Sequence, residues 1–313
     1  MPNFLKTLQP FILSEDPILQ DFALKKIDDA RLGNDETFHL ALDANDKNTP
    51  NNQTNTILPY TYSYQIGQAG AQRLVDLLKK KDHNLYWYRT IFSHLDSERI
   101  EGHFEEVRPV MEEEHLTQLE SIIKLNHLSI SELQNEHSRV TDEMESQGLY
   151  NDNLYTYCKR ITDRLIKWNA YTSEEIEEII QQETKQDYFT YKGYMAVYAA
   201  GELKIHSLVE DLAKLTLRGR EEILVEEVEA ALIKIGTDEV ITCVAPCALD
   251  PDEFYSSIAV LKNSKSELAV EKLLSLFDSS HRSYSENTDG RSVMQPAVNR
   301  GHSQTGRLYG TRI

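Results

Sequence analysis

Cysteine is nearly missing from this chain. Cys158, Cys243 and Cys247 are too few and too scattered for a disulfide framework, which removes the stapled, loop-rich class of small domain. Cys243 and Cys247 stand one helical turn apart and read as two small buried thiols. Long apolar runs are missing too. Nothing approaches the ~20 residues of a membrane-spanning helix, and the N-terminus carries no apolar run of signal-peptide length, so a reducing, cytoplasmic setting is expected. Basic residues are scarce, with 33 Lys and Arg against 51 Asp and Glu and a net charge of −18. That field repels phosphate backbones and anionic lipid, and no local basic stripe offsets it. Nucleic acid and membrane are therefore set aside as partners, and a protein partner is expected.

Catalytic signatures are missing as well. There is no phosphate-cradling glycine loop, serine nucleophile elbow, zinc-ligand spacing or dinucleotide fingerprint, so no catalytic, cofactor or metal residue is assigned. Two Glu-x-x-His spacings occur, Glu36 with His39 and Glu112 with His115. Acidic helices produce that spacing by chance, and solvated helix faces account for both. The alternative reading is an enzyme with a metal or acid/base site between residues 97 and 170. It rests on Glu105, Glu106, Glu112, Glu113, Glu114 and His115 gathered around Pro109.

What the chain does have is 40% hydrophobic residues, enough for a core, and an apolar pattern that repeats. Tyr198, Ala199, Ala200, Leu203, Leu208, Val209 and Leu212 reappear 32 residues later as Ala230, Ala231, Leu232, Ile235, Val240, Ile241 and Val244. Ala230 apart, these recur 29 residues on as Val260, Leu261, Ser264, Ala269, Val270 and Leu273. A helix pair of that length cannot bury its apolar face alone, so stacked copies must share one core. The expectation is an all-α chain built as an α-solenoid.

Helix signals support the same division. Asp16 and Pro17 form a start signal for a second helix after the stripe Phe4, Leu5, Leu8 and Phe11. A second pair spans Ala69 to Leu95, with Lys79, Lys80 and Lys81 at the negative end of its first helix. Capping boxes stand at Ser129 with Glu132 and at Thr172 with Glu175. Residues 1–96 thus read as helix pairs with a polar loop near 43–66, residues 97–171 as a helical insertion or divergent repeats, and 172–280 as clear repeats.

Two tyrosine groups are the candidate protein-binding residues. Tyr60, Tyr62 and Tyr64 alternate after Pro59, which would put three rings on one side of an extended segment. They read either as a loop packed over a groove between helices or as a peptide-binding ladder. Tyr188, Tyr191 and Tyr194, continued by Tyr198, recur at helical spacing and are placed on one helix. Arg218 and Arg220 face the acidic run beginning at Glu221, and pairing within the chain is expected there.

The segments Ala199 to Leu212 and Ala230 to Val244 resemble HEAT-like (armadillo-type) repeat proteins, small bacterial ones among them. Leu232 to Val240 matches the family's inter-repeat turn, with Gly236 suited to a left-handed cap, while the other turn has Lys204 in place of glycine. Asp16 to Ala23 looks like the opening of a HEAT second helix. The resemblance covers about residues 1–30, 69–95 and 172–280 and brings no catalytic residues. It implies a curved, non-catalytic scaffold that binds proteins on its concave face.

Residues 281–313 differ in kind. Five arginines, no lysine and two acids leave this tail at +3 and the rest of the chain at −21. No apolar period survives, so a disordered tail is expected. The abrupt break inside a repeat is what a shifted reading frame would produce. It would leave the apolar face around Leu273, Leu274 and Phe277 uncovered and prone to self-association.

Overall fold

A computed structural model describes residues 4–48, 57–148, 150–250 and 254–277. The chain divides into two units, Met1–Leu274 and Ser275–Ile313, and the packing below belongs to the first. The expectations for residues 281–313 lie outside the described residues.

The described residues are helical. In order they form α1 (Phe4–Ile12), α2 (Pro17–Asp29), α3 (Asp35–Asn48), a 3₁₀ turn at Leu58–Thr61, α4 (Gln68–Lys80), α5 (Leu85–Ser93), α6 (Ser97–Val107) and α7 (Glu113–Lys124). There follow α8 (Ile130–Gln147), α9 (Asp152–Lys167), α10 (Ser173–Glu183), α11 (Tyr191–Glu202), α12 (Val209–Leu215), α13 (Glu222–Ile235), α14 (Asp238–Cys247), α15 (Phe254–Asn263) and α16 (residues 267–277). The β pairing among the described residues is one isolated parallel bridge, Asn34 with Gln65.

The start signals act as their chemistry requires. Asp16 accepts from the Ile18 amide with Pro17 in the first turn, and both capping boxes are closed in both directions. Gly236 ends α13 in the left-handed region at φ 63°. Lys204 takes the same conformation after α11, at φ 51°, so the turn that lacks glycine keeps the glycine geometry at the cost of a crowded Cβ.

Helices pack on near neighbours. Within the repeats α10 lies on α11, α11 on α13, α13 on α15 and α12 on α14, so alternate helices stack. Farther upstream α4 packs on α6 and α5 on α7. The stretch read as an insertion holds α6 to α9, of which α8 and α9 pack on each other and on α11. One apolar core runs from Leu8 to Ile122 and another from Leu125 to Met195. The ends of this unit approach each other, with the Lys265 ammonium 4.5 Å from the Phe4 ring centroid.

Three local expectations are corrected. The polar loop does not begin at residue 43, because α3 continues to Asn48: Ala41, Leu42, Ala44 and Asn45 are buried at helical spacing, while Asp43 and Asp46 pair with Arg73. The tyrosines after Pro59 are not on an extended segment, since Leu58–Thr61 is a 3₁₀ turn closed by the Thr61 hydroxyl on the Leu58 carbonyl at 2.7 Å. Tyr188 is not on the helix of Tyr191 and Tyr194, because the Thr190 hydroxyl caps the Gly193 amide and starts α11 after it. Of the thiols, Cys158 is buried and Cys243 and Cys247 are half-buried on α14.

Candidate functional site

A cavity of about 1660 Å³ opens between the helix ends of the first half and the faces of α9, α11 and α13. Each of these three helices contributes a stripe spaced by three or four residues, the interval that brings side chains onto one helical face. On α9 the stripe is Tyr155, Lys159 and Asp163 with Thr156 and Arg160, on α11 it is Tyr194, Tyr198 and Glu202, and on α13 it is Ile223, Glu226, Glu227, Ala230 and Lys234. The opposite wall is made by Arg31, by Tyr62 to Gly67 and by His94, Leu95, Asp96 and Arg99.

Close backbone approach brings the stripes together. A Cβ at Gly201 would stand 2.6 Å from the Ala231 Cα, so α11 and α13 meet at a distance only glycine allows. On the other wall a Cβ at Gly33 would fall 2.0 Å from Cδ1 of Tyr64, and the missing side chain is what admits that ring.

Tyr198 sits at the centre. Its hydroxyl donates to Asp163 at 2.7 Å, and the Lys159 and Lys234 ammoniums lie 4.8 and 4.9 Å from its ring centroid. Lys159 pairs with Glu227, and Lys234 pairs with Glu202. The three helices are thereby joined in a cycle: α9 to α13 by Lys159, α13 to α11 by Lys234, and α11 to α9 by Tyr198. Charges packed this way in low dielectric persist only when paired.

Desolvation dominates the electrostatics. Burial pushes the Asp163 carboxyl up to about 6, against the lowering effects of the Tyr198 hydrogen bond and of Arg160. The Tyr198 phenol is raised well above its ordinary value, by burial first and by Asp163 and Glu202 next. His94 is lowered, chiefly by burial, while its Nδ1 lies 2.8 Å from the Thr90 carbonyl. Asp163 is half-buried and His94 exposed, yet both are desolvated, because the space they touch is itself ringed by protein.

The six candidate tyrosines divide. Tyr62, Tyr64, Tyr188 and Tyr194 line the cavity, whereas Tyr60 and Tyr191 do not. Tyr62 stacks on Trp87 and on His94, with centroids 6.1 and 5.3 Å apart. Tyr194 lies parallel to Phe189 at 6.5 Å, and Tyr188 is 69% exposed. Tyr60 donates to Asp21 at 2.7 Å, and burial with that carboxylate raises its phenol to about 12. Tyr191 stacks edge-on against Tyr155 and Tyr194.

Sequence reasoning missed Lys159, Arg160, Asp163, Glu202, Glu227 and Lys234. The visible signal was the polar i, i+4 stripe of α9, but its partners stand 35 to 68 residues away. The acidic group around Pro109 does not converge. Glu105 pairs with Arg108, Glu106 with Lys79 and Glu112 with Arg89. Among the described residues, no group of three or more His, Cys, Asp or Glu side chains is placed to hold a metal ion, and no helix is long and apolar enough to cross a membrane. No protein-family model, curated protein or solved structure matches the chain.

Proposed function

We propose that this chain is a HEAT-like α-solenoid that serves as a non-catalytic protein-binding scaffold, with the tyrosine-rich cavity as its concave, partner-receiving surface. The observation that carries the reading is the cavity itself, built from matching stripes on α9, α11 and α13. Its volume exceeds the roughly 300–1,000 Å³ of small-molecule pockets and suits a polypeptide segment better. Tyrosine is the side chain that binding surfaces favour, offering a large rigid ring and a polar tip at low entropy cost. The stacking of alternate helices, together with the 32- and 29-residue echo, supports the solenoid.

The test is affinity purification under native conditions, read by mass spectrometry, with three forms of the protein. One is unaltered, one carries Tyr188→Ala with Tyr194→Ala in the cavity, and one carries Phe22→Ser, at an exposed position outside it. A protein enriched by the unaltered and Phe22→Ser forms and lost with the cavity pair is the expected result. A partner set that ignores the cavity pair would remove the cavity from the proposal, and no partner above background would remove the scaffold.

A further inference from the structure

A cation that loses part of its water in the wall of a cavity is usually offset by a counter-ion. Arg160 is half-buried in the wall of this cavity and has no such partner among the described residues. It lines both the main cavity and a smaller pocket of about 70 Å³ formed with Asp96, Ser97, Glu98, Asp163, Arg164 and Lys167. Burial lowers its guanidinium from the ordinary value, yet arginine remains a cation at any physiological pH. Of its five donors one N–H is used, from Nη2 to the Ser93 carbonyl at 3.2 Å.

The carboxylates that could have answered it are engaged elsewhere. Asp163, three residues on, accepts from Tyr198. Asp96 pairs with Arg99, Glu98 with Arg164 and Lys167, Glu227 with Lys159 and Glu202 with Lys234. Among the described residues Arg160 forms no ion pair, and the influences on it beyond burial are the neighbouring Asp163 and Tyr198. A guanidinium held in place by one backbone bond, with its remaining donors free beside a cavity, matches the planar two-oxygen geometry of a carboxylate.

We propose that Arg160 receives a carboxylate of the bound partner, so that the cavity reads a polypeptide by one anionic group. This rests on the protein-binding reading above and specifies its chemistry. The carboxylate comes from the partner's free C-terminus or from an Asp or Glu side chain. A phosphate fits worse, because a second negative charge would face Asp163 and the field of a protein at −18. Tyr62, Tyr188 and Tyr194 along the same cavity supply ring faces for the residues next to the anchored group.

Binding of an anion beside Asp163 favours its protonated form, so affinity rises as pH falls from 8 to 6. The groups that face Asp163 are Arg160 on its own helix, Tyr198 and Glu202 on α11 and Lys234 on α13, with Asp96, Glu98, Arg164 and Lys167 around the smaller pocket. His94 is lowered from its ordinary value, by burial first and by the nearby Arg160 cation, which favours its neutral form.

The experiment uses the full-length protein, immobilised, and three random heptapeptide libraries. One has free C-termini and no Asp or Glu, one has amidated C-termini and includes Asp and Glu, and one has neither source of carboxylate. Selection from the first or the second names the source. The selected peptide loses roughly tenfold or more in affinity with Arg160→Met, the scale of a charge-assisted pair, and little with Arg220→Met at an exposed position on the same cavity. Asp163→Asn must tighten binding and flatten its pH dependence, an opposite-sign effect that a folding defect does not produce. Peptides selected equally from the third library, with affinity indifferent to Arg160→Met, overturn the carboxylate site and leave the protein-binding reading intact. No selection from any library overturns both.

Discussion

His137 on α8 shows what one titratable side chain does inside this fold. It is buried, its Nε2 has no hydrogen-bond partner, and its ring tilts against Tyr171 at 6.1 Å. Burial, helped by the nearby Lys192, lowers its pKa from 6.5 to about 4. The folded protein therefore holds a neutral imidazole where the unfolded one would take a proton. The stability this contributes is complete above pH 6.5 and is lost as pH falls toward 4, by roughly 3 kcal/mol at 1.36 kcal/mol per unit. Urea denaturation at pH 6.5 and 4.5 checks this, since His137→Leu should show a shallower loss than the unaltered protein. Nothing in the local sequence of His137 announces this, because the effect comes from the helices packed around it. Tyr62 and Tyr64 teach the same lesson: their alternation was visible, but the turn they leave and the rings they meet were not.

At the scale of elements, the start and stop chemistry was legible because it is local. Asp16, Ser129 and Thr172 cap helices within three residues of themselves, and Gly236 ends one by its own φ. The start of α11 was misplaced because a tyrosine period of three to four residues continues upstream of the Thr190 cap. How closely two helices meet was not legible. Gly201 is inconspicuous in sequence and decisive in packing, since its bare Cα is what lets α11 rest on Ala231 of α13. Gly201→Ala gains intrinsic helix propensity yet should destabilise the protein by about 1–3 kcal/mol through overpacking. Chemical denaturation reads the sign directly, and a more stable variant would show that the contact is looser than described.

Across the whole of the first unit, stability depends on links between elements far apart in sequence. Lys159 on α9 and Glu227 on α13 are 68 residues apart, and the carboxylate is only 9% exposed. Lys159→Met should cost about 3 kcal/mol, because it leaves Glu227 enclosed without its cation. Lys159→Met combined with Glu227→Met should recover much of that loss. A double-mutant cycle with a coupling near zero would show that the pair is solvated after all.

The sequence by itself determined an all-helical fold, the helix caps and the recurrence of one apolar pattern, because these follow from backbone chemistry and residue spacing over a turn or two. Tertiary structure alone decided that Lys159, Arg160, Asp163, Tyr198, Glu202, Glu227 and Lys234 face one another across a cavity. It also decided which of those charges meet a counter-ion, Lys159 with Glu227 and Lys234 with Glu202. The reason is physical: helical periodicity states which face of a helix is polar, but not what that face meets. A charge acquires its partner, its desolvation and its shifted pKa only when distant helices are brought within a few ångströms.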